Sequence, residues 1–325
     1  MAVAAFSLLQ LVEAAASPDT AERILLDELD AALVDPGAFR LTDAPLSDAL
    51  VADMHAVTRE FFEQPFEVKA RCRYVEDQYT GWCGPPFLSE YGSGNDRKEM
   101  FHIGPRFAPT LETHSTEGTL AGSARLFPEA RQNCALWPGA PERFVEIWHE
   151  YYRGMQTVAA SLGTVLAAVL GIPSEEWFAV LGDNWADLAA NYYPPVSSEE
   201  GGTPVYQNPH RDLTVFTILH QDRSRAGGLS VETVDGEWHD VEPIPGTYVV
   251  NVGDLLTYLS GGHWRAAPHQ VTVFPDAAIQ PRISVPFFYR PSDDRIVTSF
   301  VDPDAAPIAV GDWVIQRKRA VPGTD

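Results

Sequence analysis

Apolar positions recur at helical spacing from residue 6 to about residue 33, with Leu8, Leu9 and Val12 on one stretch and Ile24, Leu25 and Leu29 on the next. Ser17-Pro18 interrupts the pattern, and Asp19 or Thr20 can cap the second piece. Residues 37 to 41 read as a short strand. Apolar side chains at 46, 50, 54, 57 and 61 then predict an amphipathic helix over residues 46 to 62. Between 74 and 106 the periodicity disappears. Tyr79, Trp82, Phe87, Tyr91, Phe101 and His102 are interleaved with Gly81, Gly84, Pro85, Gly92 and Gly94, which suits a pocket wall or lid as well as plain packing. Residues 107 to 141, rich in Pro, Gly, Ser and Thr, read as loop. Residues 144 to 170 predict a long helix backing a sheet, stopped by Gly171-Ile172-Pro173, with His149 as a surface residue on it. From Leu188 onward the pattern becomes that of strands, so helices gather in the first half and strands in the second.

The chain has 325 residues, 45% of them hydrophobic, which is enough for one large core or two smaller ones. We divide it into an N-terminal helical and irregular region, 1–140, that contributes to a pocket, and a backing helix with the strand-rich core, 141–325, the two forming one integrated unit. No apolar run reaches the roughly 18 residues of a membrane span, and the first residues lack a basic stretch, so a membrane partner is not expected. Cys72, Cys83 and Cys134 are odd in number and widely spaced, as expected of free thiols in a reducing cytoplasm. The net charge of −22 argues against nucleic acid as a partner, since little could neutralise phosphates. Nothing in the chain fixes an oligomeric state.

The stretch from Asn208 to Leu219 carries the first chemistry. Its second half reads as a buried strand, and side chains two apart on a strand share a face. His210 and Asp212 then point together, with Arg211 on the other face. An imidazole beside a carboxylate is two thirds of the 2-His-1-carboxylate facial triad that holds non-haem Fe(II). The third ligand must come from elsewhere. His220 has the right parity, but ten residues at ~3.3 Å each put it too far from His210. His239 follows Trp238 in a hairpin, and His263 belongs to a glycine-rich turn that could line a cavity mouth. His269 opens an alternating strand and is the preferred third ligand. Further on, Arg282 and Ser284 share a strand face, and a planar guanidinium beside a hydroxyl forms a clamp for a carboxylate.

In order and interval these segments resemble the iron(II)/2-oxoglutarate-dependent oxygenases, in the branch of isopenicillin N synthase, the plant flavonoid and gibberellin oxygenases and the ethylene-forming enzyme. The similar text is Asn191-Tyr-Tyr-Pro-Pro195, His210-Arg-Asp212, Phe216-Thr-Ile-Leu219, Gly227-Gly-Leu229, Gly236-Glu-Trp238, Val250-Asn-Val-Gly-Asp254, His269-Gln-Val271 and Arg282-Ile-Ser284. Gln270 stands where the family usually has Arg, a departure that leaves the ligand beside it in place. The N-terminal half matches more loosely, through residues 37 to 41, Phe61-Phe62-Glu-Gln-Pro65 with Lys69, and Lys98-Glu-Met-Phe101.

The resemblance implies an α+β protein whose core is a double-stranded β-helix, or jelly roll, flanked by mainly N-terminal helices. It implies an enzyme with Fe(II) on His210, Asp212 and His269, using 2-oxoglutarate and O2. Asn191 and Tyr193 would reach the 2-oxoglutarate, and Arg282 and Ser284 would hold its distal carboxylate. The substrate would be a small organic molecule, undergoing hydroxylation, desaturation or cyclisation, in secondary metabolism such as antibiotic biosynthesis. Retention of Asp212 argues against halogenation. Tyr79, Trp82, Phe101 and His102 are the expected pocket wall, and Arg265, with Arg73 and Arg97, the cations for a substrate carboxylate. The C-terminal segment with Trp313 and Arg317-Lys318-Arg319 is read either as a cover for the opening or as a solvated tail. Two other readings stay open here: an isopenicillin N synthase-like oxidase that needs no 2-oxoglutarate, and a non-catalytic jelly-roll binding protein.

Overall fold

The structure is a computed structural model that describes residues 3–16, 20–74, 80–85, 96–104, 137–182, 185–195, 205–222, 228–272 and 281–319. Tyr79, Phe87, Tyr91, Cys134, the Ser17-Pro18 break and most of the 107–141 loop lie outside them. In chain order the elements are β1 (Ala5–Ser7), α1 (Leu8–Ala16), α2 (Thr20–Val34), β2 (Ala38–Thr42), α3 (Asp48–Phe62), α4 (Phe66–Lys69), β3 (Gly81–Cys83), β4 (Glu99–Ile103), α5 (Phe144–Leu170) and α6 (Ser174–Leu181). The second half supplies β5 (Ala186–Tyr193), β6 (Val205–His210), β7 (Phe216–Gln221), β8 (Gly228–Glu232), β9 (Trp238–Val241), β10 (Tyr248–Val252), α7 (Asp254–Leu259), β11 (His269–Thr272), β12 (Arg282–Tyr289), β13 (Ile296–Val297), β14 (Ile308–Ala309) and α8 (Val310–Arg319).

Two sheets form the centre. The major sheet has the order β1-β2-β10-β7-β12-β5-β4-β3, and the minor sheet β6-β11-β8-β9. Between them lies a small apolar layer that includes Val231, Val249, Val271 and Tyr193. The outer face of the major sheet is covered by the helices, whose buried side chains make the larger core. The mixed helices and antiparallel sheets are those of a double-stranded β-helix.

Local signals account for several boundaries. Ser47 caps α3 by accepting the Leu50 amide at 3.2 Å, and its hydroxyl offsets one of the unpaired donors of the first turn. Gly171, at φ 70°, ends α5 in the left-handed conformation that a side chain would disfavour. By length and composition α5 could cross a membrane, although no uninterrupted apolar run predicts this. Its apolar character has another cause. It runs through the core, burying Phe144, Trp148, Tyr152, Met155, Leu162 and Leu166.

Two expectations differ from the structure. Residues 81–83 and 99–103, expected to be irregular, are strands that extend the major sheet beside β5. Phe101 and Ile103 share one face of β4 and are both buried, while the residues between and before them are only half-buried, so the polar-out alternation that marks a half-exposed strand is weak. Residues 208–219 are not one strand. β6 ends at His210 in the minor sheet and β7 starts at Phe216 in the major one, so the chain crosses between sheets over residues 211–215.

Candidate active site

The crossing shapes the site. His210 closes β6, Arg211 turns out to solvent, and Asp212 turns inward and is buried. His269 opens β11 directly across the antiparallel pair from His210, which sets the two imidazoles side by side with ring centroids 4.2 Å apart. One oxygen of Asp212 lies 3.8 Å from the Nε2 atom of His210 and 3.8 Å from that of His269. The ligating atoms of the three residues all fall within 4.8 Å of one another.

Each ligand is held from behind. The Nδ1 of His210 donates to the Asn208 carbonyl at 2.9 Å, and that of His269 to the Ala267 carbonyl at 3.0 Å. These bonds fix the tautomer and leave both Nε2 lone pairs facing Asp212. The other oxygen of Asp212 accepts from the Thr217 hydroxyl at 2.5 Å and from the Asn251 amide at 2.9 Å. Thr217 and Asn251 are themselves cross-strand partners on β7 and β10. The backbone of the turn is pinned too, since the Asp254 amide donates to the Asp212 carbonyl at 2.8 Å. A Cβ at Gly253 would stand 2.1 Å from the Thr214 carbonyl oxygen, so only glycine lets these two turns approach.

The electrostatics suit a cation. Burial, followed by the neighbouring His269 imidazole, lowers His210 to about 3, so it is neutral and its Nε2 carries a lone pair. Burial works against the charge of Asp212, but the two imidazoles and the Thr217 and Asn251 hydrogen bonds outweigh it and hold the carboxyl below its usual range. Two imidazole nitrogens and a carboxylate oxygen converging on one side of a cavity are a suitable donor set for Fe(II).

The opposite wall comes from the major sheet. Pairing of β12 with β5 sets Arg282 against Tyr193 and Ser284 against Asn191, so one register brings together all four residues expected to hold the cosubstrate. Arg282 is 1% exposed, lies over the Tyr193 ring at 4.9 Å and donates to the Gln221 side-chain oxygen at 2.7 Å. Its Nη1 is buried without a hydrogen-bond partner, as is the Asn191 side-chain oxygen. A buried guanidinium with an unpaired donor is costly unless an anion completes it, so the observed residues fit a dicarboxylate such as 2-oxoglutarate. Leu219, Leu229, Val231, Val249, Val271 and Phe288 supply apolar lining to the cavity.

Other expected residues are placed elsewhere. Phe101 is fully buried on the helix side of the major sheet, packed against Phe61, Phe144 and Trp148. Trp82, opposite Phe101 in the β3–β4 pair, shares that face and donates to Glu99 at 2.7 Å. Both therefore point away from the cavity. Arg265 is engaged by the carbonyls of Pro36, Glu232 and Thr233 and by the Glu232 carboxylate, so it is not an available substrate cation. His102 lies across from Ala189, two residues from Asn191 on the same face, and stacks on Tyr74. His220 faces the helices, 2.6 Å from His55 of α3, because β7 starts afresh in the major sheet and the parity counted from His210 does not carry over. His263 is half exposed and paired with Asp30 at 2.8 Å. Among the described residues, only His210, Asp212 and His269 form a metal-type cluster. Arg317 of α8 pairs with Asp254 at 2.7 Å, so the C-terminal helix docks behind the Asp212 turn.

Three contributors were not singled out from the sequence. Thr217 supports Asp212, and Gln221 orients Arg282. Gln207 has its amide nitrogen 2.9 Å from the His210 Nε2 and accepts from the Tyr193 hydroxyl at 3.2 Å. Gln207 sits three residues before His210 on a strand, so its place beside that imidazole comes from a bulged pairing with β11.

Residues 184–291 match the 2OG-Fe(II) oxygenase superfamily, and residues 6–125 match the non-haem dioxygenase in morphine synthesis N-terminal family. A naringenin,2-oxoglutarate 3-dioxygenase of Arabidopsis thaliana is 28% identical over 262 residues, 80% of this chain and 65% of that protein. Gibberellin 20 oxidase 1 of the same plant is 26% identical over 262 residues, 81% of this chain and 63% of that protein. The chain thus spans a little under two thirds of the length of these relatives. In shape it is similar to the crystal structure of a dioxygenase for auxin oxidation in rice, with a TM-score of 0.72 at 24% identity, covering 97% of this chain and 94% of that one.

Proposed function

This chain belongs to the iron(II)/2-oxoglutarate-dependent oxygenase superfamily, and from that premise we propose that it is a dioxygenase oxidising a small organic molecule, by hydroxylation, desaturation or cyclisation. The observation that carries the reading is the pairing, across one cavity, of the His210–Asp212–His269 cluster with a buried guanidinium whose Nη1 has no partner. His210, Asp212 and His269 would hold Fe(II), and Arg282 and Ser284 the distal carboxylate of 2-oxoglutarate. When bound, the metal supplies the activation of O2 that is coupled to conversion of 2-oxoglutarate to succinate and carbon dioxide.

The protein's own part is positioning. Asn208 and Ala267 keep the imidazole lone pairs turned inward, and Thr217 with Asn251 leaves one carboxylate oxygen of Asp212 for the metal. Gln221 orients Arg282 so that its unpaired edge meets an incoming carboxylate. Apolar side chains from both sheets limit water around the site. The small-molecule chemistry of the relatives and the apolar lining support a small organic substrate, and secondary metabolism is the setting we propose. The site itself does not resemble a bare binding module, because a buried metal-type donor set and a carboxylate clamp have no use in one without the metal and acid they suit.

The test is succinate release by purified protein given Fe(II), 2-oxoglutarate, O2 and a panel of small organic acids, phenols and heterocycles. Substrate-dependent succinate, absent from Asp212→Ala, is expected. Substrate oxidation without any consumption of 2-oxoglutarate would instead identify an isopenicillin N synthase-like oxidase.

A further inference from the structure

Lys98 is one of three lysines in the chain, and it is 9% exposed. It immediately precedes β4, where Glu99 pairs with Tyr192 and Met100 with Asn191 of β5. One more step of that register brings Lys98 level with Tyr193. Alternation along the strand then gives it the same face as Asn191 and Tyr193, the face that lines the cavity. On its other side this segment is tied to β6. The Arg97 amide donates to the Tyr206 carbonyl at 3.0 Å, and Asp96 accepts from the backbone and side-chain amides of Asn208, each at 3.4 Å. Lys98 does not itself line the cavity, but it is held beside it, between the strand bearing Tyr193 and the strand ending in His210, near enough for its charge to act on that imidazole.

Its ammonium has one ionic partner, the buried carboxylate of Asp96, across a long gap. The nearest acid, Asp96, is 3.6 Å away, beyond hydrogen-bond length, and its other oxygen already serves Asn208. Among the described residues no oxygen accepts a hydrogen bond from Lys98. A largely buried ammonium in that condition is stabilised by an arriving anion, which would give it the short charge-assisted contact it lacks. Arg282 cannot be the same anion's partner, since the function proposed above assigns it to the cosubstrate. Of the other cations considered, Arg97 is exposed and Arg265 is engaged.

We infer that the primary substrate is itself a small carboxylic acid, its carboxylate paired with Lys98 beside the cavity while the rest of the molecule extends into the apolar interior toward His210 and Asp212. This rests on the function proposed above and narrows its substrate class.

The test uses anaerobic enzyme loaded with Fe(II) and 2-oxoglutarate, titrated with phenylacetate, cinnamate and hexanoate and with the matching primary amides. Binding is followed by the perturbation of the Fe(II)–2-oxoglutarate absorption. At least one acid is expected to bind tenfold or more tightly than its amide. Lys98→Met should remove that preference, Lys98→Arg should keep part of it, and Arg97→Met should keep it whole. The inference is overturned if no acid outperforms its amide, or if the preference survives in Lys98→Met. An equal loss of 2-oxoglutarate affinity in Lys98→Met, read before any acid is added, would assign Lys98 to the cosubstrate and also overturn it. Failure of the wild-type protein to bind Fe(II) or 2-oxoglutarate at all would instead count against the proposed function.

Discussion

Asn251 offers a sensitive test of how the metal ligands are held. Its amide donates to the buried oxygen of Asp212 at 2.9 Å, while Thr217 donates to the same oxygen at 2.5 Å. Removing the amide by Asn251→Ala leaves Asp212 with one anchor, so its carboxylate can rotate away from His210 and His269. A hydrogen bond to a charged group contributes about 1.5–3 kcal/mol. Partners standing behind metal ligands typically account for ~10–100-fold in metal affinity. With each ~1.4 kcal/mol a factor of ten, the two ranges agree, and we expect a loss of that size. Calorimetric titration of the metal-free protein with Mn(II), a redox-stable substitute for Fe(II), measures it. Thr217→Val should weaken binding similarly, and the double variant should lose more than the sum of the two, because the carboxylate then has no anchor. Unchanged Mn(II) affinity in both single variants would refute the idea that these bonds orient the ligand.

Other consequences follow from particular contacts. Arg282→Ala should weaken 2-oxoglutarate binding at least tenfold, since truncating one partner of a buried charge pair costs ~2–5 kcal/mol; Arg282→Lys should recover only part, and equal affinity in all three proteins would remove the clamp. Phe101→Ala should lower folding stability by about 3–5 kcal/mol as a core cavity, with 2-oxoglutarate affinity little changed, and a stable variant with altered substrate affinity would return Phe101 to the pocket. His55, half-buried against His220, has its pKa lowered to about 3, chiefly by desolvation. The unfolded chain, with His near 6.5, therefore binds the proton first as pH falls, and stability contributed by neutral His55 declines below pH ~6.5, by roughly 2 kcal/mol at pH 5. Thermal unfolding between pH 7 and 5 should thus be flatter in His55→Gln, and identical slopes would dismiss the effect.

The site was legible where short sequence patterns carry the chemistry. His-x-Asp, a histidine opening an alternating strand, and Arg-x-Ser each state a residue type and a face, and the β12–β5 register needed only to bring the last of these against Asn191 and Tyr193. What was not legible depends on pairings between distant segments. Whether Phe101 meets the cavity or the helices turns on β4 joining β5, which nothing within residues 96–104 announces. His220 was rightly set aside as too distant, but the side it faces was not legible, because the strand break at 211–215 adjoins a run of β-branched and apolar residues and resets the alternation. Thr217, Gln221 and Gln207 carry no distinctive pattern, and their roles exist only once β7, β10, β11 and β12 are in place. Long helices fared better, since α3 and α5 are decided by local periodicity and caps.

The central claim is that one cavity holds a metal on His210, Asp212 and His269 and a dicarboxylate on Arg282 and Ser284. A crystal structure of the protein grown anaerobically with Mn(II) and 2-oxoglutarate, with anomalous scattering recorded at the manganese edge, tests it most directly. The account predicts a single strong anomalous peak bonded to the Nε2 atoms of His210 and His269 and one oxygen of Asp212, with the far carboxylate of 2-oxoglutarate on Arg282. A metal peak on any other residues, or 2-oxoglutarate bound away from Arg282, would contradict it.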